Sequence, residues 1–356
     1  MSPCRLLIVD ASTVIRRALT VALAGEPGIE VVGSASSGRV ALMKLPLLRP
    51  DVVALDADLP DRESPWTLAA IRAAAPRLPI VLLSAASPRA AAATADALHH
   101  GANDYIVKPD GDVPSDGSIA LLCAHLVSKI DACCLSAVAH RPVARAHGPG
   151  AASIGARVDV VAIGVSTGGP SALMELIPQF AADFPVPILI VQHMPPMFTN
   201  LLAERLAARS SIKVIEGTHA RLVEPGHAWI APGGFHMAVE RDSRGAIRLT
   251  THQDARENSC RPAVDVLFRS VATVYGPHAL AVVMTGMGQD GLRGCERIQA
   301  AGGQVLAQDE SSSVVWGMPG GVARAGLADQ VLPLDRLGAE IIDRVDRDRQ
   351  PARVTA

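Results

Sequence analysis

Residues 160–170 read VVAIGVSTGGP, and the prediction of the fold starts from this stretch. A short apolar run typical of a buried strand ends in a Gly-x-Ser-x-Gly turn, and Pro170 follows where a helix can begin. Glycine suits such a turn because a Cβ would clash where the backbone reverses sharply. The pattern predicts that Ser166 stands at the tip of the turn, in the position of a nucleophile. The same residues also suit a loop that holds a phosphate at a helix N-terminus, so that alternative stays open here.

Length and composition set the class of protein. The chain has 356 residues, of which 49% are hydrophobic and 3% aromatic, with a formal net charge of −2. We therefore expect two or three domains with aliphatic cores, and no nucleic acid as a main partner. The sequence has no apolar run of membrane-spanning length and no pattern of a signal peptide, so we expect a cytoplasmic protein without direct membrane insertion. Its six cysteines lack the spacing of a zinc site, and we expect them to be reduced.

The order of apolar and polar segments predicts two α/β domains. Strand and helix patterns alternate along residues 1–118 and again along 158–346, which indicates two doubly wound parallel sheets. Residues 119–157 combine a closing helix with a linker rich in Ala, Gly and Pro, and 347–356 form a C-terminal tail. Within 227–252, three short apolar runs predict a small antiparallel insert, of which Ala228–Ala231 is the first run.

Polar residues follow the strands of the first domain. Asp10 ends the first predicted strand and Asp56 ends the third. Ser84 ends the fourth, and Lys108 ends the fifth. Because the carboxyl ends of parallel strands meet in one crevice, we expect these side chains to lie together. Each alone could be a solvated loop residue, but carboxylates that hold a divalent cation beside a hydroxyl and an ammonium suit phosphoryl chemistry.

This first domain resembles a response-regulator receiver domain. The likeness rests on Ile8–Asp10, Ala54–Pro60, Leu83–Ala85 and Val107–Pro109. The resemblance implies that Asp56 is the phosphoacceptor, that Ser84 and Lys108 are its switch and clamp, and that Asp10 and Asp56 hold Mg²⁺. Receivers usually carry two adjacent acids after the first strand, whereas Ala11 follows Asp10 here. A receiver that has lost its phosphoryl chemistry is therefore an alternative.

Three polar residues follow strands of the second domain. Ser166, His193 and Asp290 each come just after an apolar run, and such strand ends meet at one edge of the sheet. A serine hydroxyl needs a base to take its proton, histidine can serve as base and then acid, and a carboxylate can orient the imidazole. Singly, His193 could be a packed loop residue and Asp290 a helix N-cap. Together they predict a serine hydrolase, whose chain order differs from that of the α/β-hydrolases.

The second domain resembles the CheB type of chemotaxis protein-glutamate methylesterase and protein-glutamine glutaminase. The blocks that carry the likeness are Ile163–Pro170, Gln192–Thr199, Ala231–His236, Arg261–Phe268 and Thr285–Gly291. The resemblance implies a flavodoxin-like receiver joined to a Rossmann-like three-layer αβα catalytic domain with a small β-hairpin insert. It implies hydrolysis of glutamate methyl esters on the cytoplasmic helices of a chemoreceptor, with release of methanol, and deamidation of receptor glutamines.

The same resemblance implies a role for each site residue. Ser166 is the nucleophile, His193 the general base and acid, Asp290 the orienting carboxylate, and the backbone N–H of Met287 the first candidate for the oxyanion hole. Hydrolysis then needs no cofactor, whereas phosphorylation of the receiver by a histidine kinase would use Mg²⁺ and would gate activity. Two alternatives stay open, namely an esterase with a degenerate receiver and a protein that binds a phosphate-bearing ligand.

Overall fold

The computed structural model describes residues 3–60, 63–109, 116–138, 156–347 and 349. These residues divide into two units, Met1–His140 and Arg141–Ala356. Residues 139–155 of the predicted linker and most of the predicted tail lie outside the described residues. The domain boundaries inferred from composition remain predictions.

Parallel strands build the N-terminal unit into one five-stranded sheet of order β2-β1-β3-β4-β5. Its elements are β1 (Cys4–Val9), α1 (Thr13–Leu23), β2 (Ile29–Ala35), α2 (Gly38–Leu48), β3 (Val52–Asp56), α3 (Glu63–Ala74), β4 (Ile80–Ser84), α4 (Pro88–His99), β5 (Asp104–Val107) and α5 (Asp116–Val138). The central strands β3 and β4 are buried along their whole length, as strands covered on both faces must be. The hydroxyls of Ser12, Ser37 and Ser87 cap α1, α2 and α4 by accepting a backbone N–H three residues on.

The C-terminal unit contains a seven-stranded parallel sheet of order β14-β13-β12-β6-β7-β9-β8. Its elements are β6 (Val160–Val165), α6 (Gly169–Leu176), β7 (Ile188–Gln192), α7 (Phe198–Arg209), β8 (Lys213–Glu216), β9 (His227–Ile230), β10 (His236–Arg241), β11 (Ile247–His252), α8 (Val264–Tyr275), β12 (Ala279–Val283), α9 (Leu292–Ala300), β13 (Gln304–Gln308), α10 (Met318–Arg324), β14 (Gln330–Leu332) and α11 (Leu334–Asp346). β6 is the middle strand of the sheet and is buried throughout. The predicted parallel-sheet α/β fold is confirmed in both units.

One strand of the predicted antiparallel insert belongs elsewhere. β9 pairs in parallel with β7 and β8 inside the main sheet, so the assignment of Ala228–Ala231 to the insert was wrong. Only β10 and β11 form an antiparallel hairpin, which is a separate two-stranded sheet. A four-residue apolar strand reveals its own conformation but not its pairing partner, because pairing depends on register with distant segments.

The structure bears on two further expectations from the sequence, concerning membrane-spanning segments and the state of the cysteines. In the described part of the chain, no helix combines the length and apolarity needed to cross a membrane. Cys123, Cys260 and Cys295 are free thiols, whereas Cys4 is disulfide-bonded, so the expectation of reduced cysteines was wrong for Cys4. Spacing along the chain cannot report which cysteines the fold brings within bonding distance.

Candidate active site

The middle of the large sheet brings the predicted trio to one edge. β6 lies between β7 and β12 and pairs in parallel with both. Ser166 directly follows β6 and His193 directly follows β7, and the register aligns the last residues of these strands. Asp290 follows β12, the neighbour of β6 on its other side. The serine therefore stands between the two strands that carry the histidine and the carboxylate.

Close packing explains the glycines of the turn at Ser166. The Ser166 N–H donates to the carbonyl of Thr285 at 3.0 Å, which fixes the turn against the neighbouring loop. Gly168 has φ 77°, in the left-handed region that glycine adopts without strain. A Cβ on Gly169 would lie 2.0 Å from Oε1 of Gln192, so no side chain fits where α6 begins. The sequence pattern thus does form a strand, a tight turn and a helix around Ser166.

Asp290 is the most firmly held side chain of the site. Its Oδ2 lies 2.7 Å from Nε2 of His193, and the carboxylate is 2% exposed. Its other donors are the backbone N–H groups of Val264, Asp265 and Gly291 and the side-chain amide of Asn258. Burial alone would raise the pKa of Asp290, but the hydrogen bonds from His193 and from the backbone N–H groups outweigh it and lower the pKa.

These contacts also decide which helix Asp290 caps. The first two N–H groups of α8, at Val264 and Asp265, point at the carboxylate, whereas α9 begins after Gly291 without a side-chain cap. A carboxylate at a helix N-terminus is stabilised by the unpaired N–H groups and by the helix dipole. Asp290 therefore caps a helix that is distant in sequence rather than the helix that follows it, and this keeps the carboxylate ionised.

The His193 imidazole is engaged on both sides. Nε2 faces Asp290, and Nδ1 faces the sulfur of Cys260 at 3.5 Å. Burial alone would lower the pKa of His193, but the hydrogen bonds to Asp290 and Cys260 outweigh it and raise the pKa to about 9. At neutral pH the imidazolium form predominates, and only the neutral fraction can accept a proton. Among the described residues, no hydrogen bond joins the Ser166 hydroxyl to this ring, and in unliganded enzymes such contacts commonly tighten only when substrate binds.

Two residues near His193 and Asp290 were not identified from the sequence. The Asn258 side-chain amide donates to Asp265 and to Asp290, both at 2.9 Å. Cys260 lies two residues further on and contacts His193. Neither residue follows a strand or carries a motif of its own. The only available signal was their position directly before the block Arg261–Phe268, which the family resemblance had singled out.

Met287 lies on the loop between β12 and Asp290, with its side chain 39% exposed. The loop is fixed at the residue before it. Gly286 donates its N–H to the carbonyl of Val315 at 2.9 Å and accepts the N–H of Met318 at 2.8 Å. A fixed backbone is what an oxyanion donor requires, and the role of Met287 remains a prediction.

The predicted receiver residues meet at the carboxyl edge of the N-terminal sheet. Asp10 and Asp56 are buried, and Lys108 Nζ lies 3.1 Å from one carboxylate and 3.0 Å from the other. Burial raises the pKa of Asp56 although the charge of Lys108 opposes it. Burial would lower the pKa of Lys108, but the two carboxylates raise it. Ser84 is buried and accepts a hydrogen bond from the Thr94 hydroxyl at 2.7 Å.

Comparison with known proteins covers both units. Residues 6–113 match the response regulator receiver domain, and residues 161–341 match the CheB methylesterase family. The protein-glutamate methylesterase/protein-glutamine glutaminase of Trichodesmium erythraeum is 48% identical over 357 residues, which are 97% of this chain and 100% of that protein. The protein of the same name from a Nocardioides species is 43% identical over 98% of this chain and 97% of its own. The crystal structure of the Thermotoga maritima CheB methylesterase catalytic domain matches 52% of this chain and 98% of its own, with 40% identity and a TM-score of 0.51.

Proposed function

The chain belongs to the CheB methylesterase family, and from this premise we propose that it hydrolyses glutamate methyl esters on chemoreceptors and deamidates receptor glutamines. The observation that carries the proposal is the 2.7 Å contact between His193 and the buried Asp290. His193 follows β7 and Asp290 follows β12, and these two strands flank β6, after which Ser166 stands. A base oriented by a carboxylate beside a serine at a tight turn is the arrangement that acyl transfer requires.

The reaction proceeds in two halves. Ser166 Oγ attacks the γ-carbonyl carbon of the methyl ester while His193 accepts its proton through Nδ1, since Nε2 is held by Asp290. The backbone N–H of Met287 donates to the oxyanion of the tetrahedral intermediate. His193 then returns the proton to the leaving methoxide, and methanol departs from an acyl-serine ester. Water activated by the same imidazole hydrolyses this ester to glutamate, and from a glutamine the first leaving group is ammonia instead.

Asp290 contributes to each proton transfer through the imidazole. Its contact fixes the ring so that Nδ1 is the nitrogen left for Ser166, and its negative charge stabilises the imidazolium that forms. The hydrolysis is proposed to need no metal, because the serine, the imidazole and the backbone donors supply the nucleophile, the base and the oxyanion contacts.

Substitution of Ser166 tests this proposal. We expect Ser166→Ala to abolish methanol release from methylated receptor fragments, and the variant should no longer be labelled by a serine-reactive phosphonate. Ser243→Ala changes an exposed serine in the hairpin turn and should keep both properties. Methanol release by Ser166→Ala at the wild-type rate would rule out Ser166 as the nucleophile. A wild-type protein that releases no methanol and is not labelled by the phosphonate would favour the alternative of a phosphate-ligand binding protein.

The receiver residues support a Mg²⁺ site and control by a phosphodonor kinase. Mg²⁺ in proteins is commonly held by one or two carboxylates together with phosphate oxygens and water, and Asp10 and Asp56 supply two buried carboxylates. Mg²⁺ bound there would offset negative charge when Asp56 accepts a phosphoryl group. Lys108, which already contacts both carboxylates, would then pair with that group. The adjacent position holds Ala11, so this site offers one carboxylate fewer than receivers usually do.

A further inference from the structure

The surroundings of His193 contain a third group whose chemistry the proposed hydrolysis does not use. Cys260 is a free thiol, and its sulfur lies 3.5 Å from His193 Nδ1, the nitrogen that must take the serine proton. One ring nitrogen of His193, the Cys260 sulfur and one Asp290 oxygen all lie within 4.8 Å of one another. Three different metal-binding groups thus lie close together around the imidazole that the proposed reaction uses as its base.

The donor set is selective in chemical terms. A thiolate and an imidazole favour Zn²⁺ and related transition-metal ions, whereas Mg²⁺ and Ca²⁺ prefer sites made only of oxygen. Catalytic and structural zinc sites use these same residue types with four-coordinate geometry. Cys260 and His193 are half-buried and Asp290 is buried, so a cation here would exchange water for protein ligands while keeping a route to solvent.

The distances suit a tetrahedral ion after small side-chain movements. Zinc bonds of about 2.0–2.3 Å place pairs of ligand atoms roughly 3.3–3.6 Å apart. The sulfur and Nδ1 already have this separation, at 3.5 Å. The 2.7 Å contact with Asp290 is made by the other ring nitrogen, Nε2, and one ion can bind only one nitrogen of the ring. The ring must therefore turn so that Nδ1 approaches both the sulfur and the Asp290 oxygen. Asp290 is fixed by backbone and side-chain donors, and His193 and Cys260 are therefore the groups that adjust.

We propose that His193, Cys260 and Asp290 form a binding site for Zn²⁺ or a similar thiol-seeking divalent cation, and that the bound ion reversibly inhibits the hydrolase. The inhibitory part rests on the proposed function of His193 as the base. An ion bound to a ring nitrogen removes the lone pair that would accept the serine proton, and it pulls the ring away from its contact with Asp290. Binding displaces the thiol proton and, from the imidazolium form, one ring proton to solvent, and a chelator that removes the ion restores the resting site.

Inhibition is measured on the full-length protein with methylated receptor fragments. We expect Zn²⁺ to stop methanol release, an equal concentration of Mg²⁺ to leave it unaffected, and EDTA to restore it. Cys260→Ser should raise the Zn²⁺ concentration for half-inhibition at least about tenfold, relative to its own rate without zinc, because a direct ligand is lost. The matched control is Cys295→Ser, which changes a free thiol that is buried on α9, and it should remain as sensitive as wild type.

Direct binding keeps this inference separate from the proposed function. Co²⁺ added to the Ser166→Ala protein should produce a thiolate-to-cobalt charge-transfer absorption, which Cys260→Ser in the same background should lack. Equal zinc sensitivity of Cys260→Ser and wild type, or a cobalt spectrum independent of Cys260, would overturn the site. Inhibition that EDTA does not reverse would overturn its reversible metal-bound character. A wild-type protein that binds Co²⁺ through Cys260 but never releases methanol would contradict the hydrolase and leave the metal site standing.

Discussion

At the scale of single residues, Asn258 connects two carboxylates that are both close to the chemistry. One amide nitrogen donates to Asp265 and to Asp290, and Asp265 is further held by the N–H of Gly294 at 2.7 Å. Burial raises the pKa of Asp265, although its hydrogen bonds oppose the shift. The amide therefore separates two buried acids that would otherwise compete for a proton, and it positions the carboxylate that orients His193.

Removing this amide should slow the reaction without weakening substrate binding. We expect Asn258→Ala to lower kcat for methanol release about tenfold, or ~1.4 kcal/mol of transition-state stabilisation, with KM nearly unchanged. The reason is that Asn258 acts on Asp290 and has no assigned contact with substrate. Asn200→Ala, at an exposed position of α7, serves as the control. A kcat within twofold of wild type would show that the remaining donors hold Asp290 without Asn258.

At the scale of secondary-structure elements, the site depends on how closely α8 approaches β6. A Cβ on Gly164 of β6 would lie 2.4 Å from Cγ1 of Val264. Val264 is the residue whose N–H donates a hydrogen bond to the Asp290 carboxylate. The glycine in the strand therefore sets the distance between the sheet and the helix. Glycine at this point is required by the close approach of a neighbouring element rather than by its own backbone angles.

We expect Gly164→Ala to destabilise the protein by about 1–3 kcal/mol, because overpacking forces α8 away from the sheet. The matched control is Gly321→Ala inside α10, where no atom lies within 4 Å of the added Cβ. That change should stabilise the protein by roughly 0.5–1 kcal/mol, since alanine loses less backbone entropy in a helix. Unfolding in urea measures the free-energy change of each variant. Equal changes for the two substitutions would contradict the packing argument.

A salt bridge ties the loop before α8 to the helix itself. Glu257 accepts two hydrogen bonds from Arg269, at 2.6 and 2.8 Å, and the hydrogen bond to Arg269 is the main cause of its lowered pKa. A carboxyl whose pKa is depressed on folding contributes stability above its unfolded pKa and loses it as the pH falls through the folded value. The contribution is small, because both side chains are more than a third exposed.

We therefore expect Glu257→Gln to lower the free energy of unfolding by at most about 1 kcal/mol at pH 7. The difference from wild type should shrink as the pH falls below the ordinary glutamate pKa of 4.5. Urea titrations at several pH values measure it, with Glu240→Gln at an exposed position as the control. A difference that stays constant down to the lowest pH would mean that the carboxylate charge is not its cause.

At the scale of the whole molecule, control of the hydrolase by the receiver depends on the residue that stands beside Asp10. Arg16 donates hydrogen bonds to the backbone carbonyls of Asp10 and Ala11, so the position that usually supplies a second acid offers only a methyl group and a carbonyl already in use. Affinity for a divalent cation rises with the number of charged ligands. The receiver should therefore bind Mg²⁺ less tightly than one with two adjacent acids.

Full-length protein tests this coupling. We expect a small phosphodonor with Mg²⁺ to increase methanol release, and Asp56→Asn to abolish the increase. Ala11→Asp should lower the Mg²⁺ concentration for half-maximal stimulation by about tenfold, because it restores a carboxylate. Val21→Asp places the same charge on an exposed position at the other end of α1 and should leave that concentration unchanged. If the phosphodonor changes methanol release in neither wild type nor Ala11→Asp, the result would support a degenerate receiver.

Local sequence determined the elements and which residues end the strands. Apolar runs of strand length and glycine turns predicted β6, β7 and β12, and with them the placement of Ser166, His193 and Asp290 at one edge of a sheet. The same logic placed Asp10, Asp56, Ser84 and Lys108 together in the other unit. These features are local because strand periodicity and turn chemistry involve neighbouring residues only.

Tertiary structure alone decided the contacts that complete the site. β9 joins the parallel sheet rather than the hairpin, and Asp290 caps α8 rather than α9. Asn258 meets Asp290 from 32 positions away, and Cys260 meets His193 from 67 positions away. Such contacts depend on how helices and loops pack across the sheet, and no periodicity along the chain records that packing. The sequence therefore determined which groups could carry the chemistry, and the packing of α8 and its preceding loop decided what surrounds them.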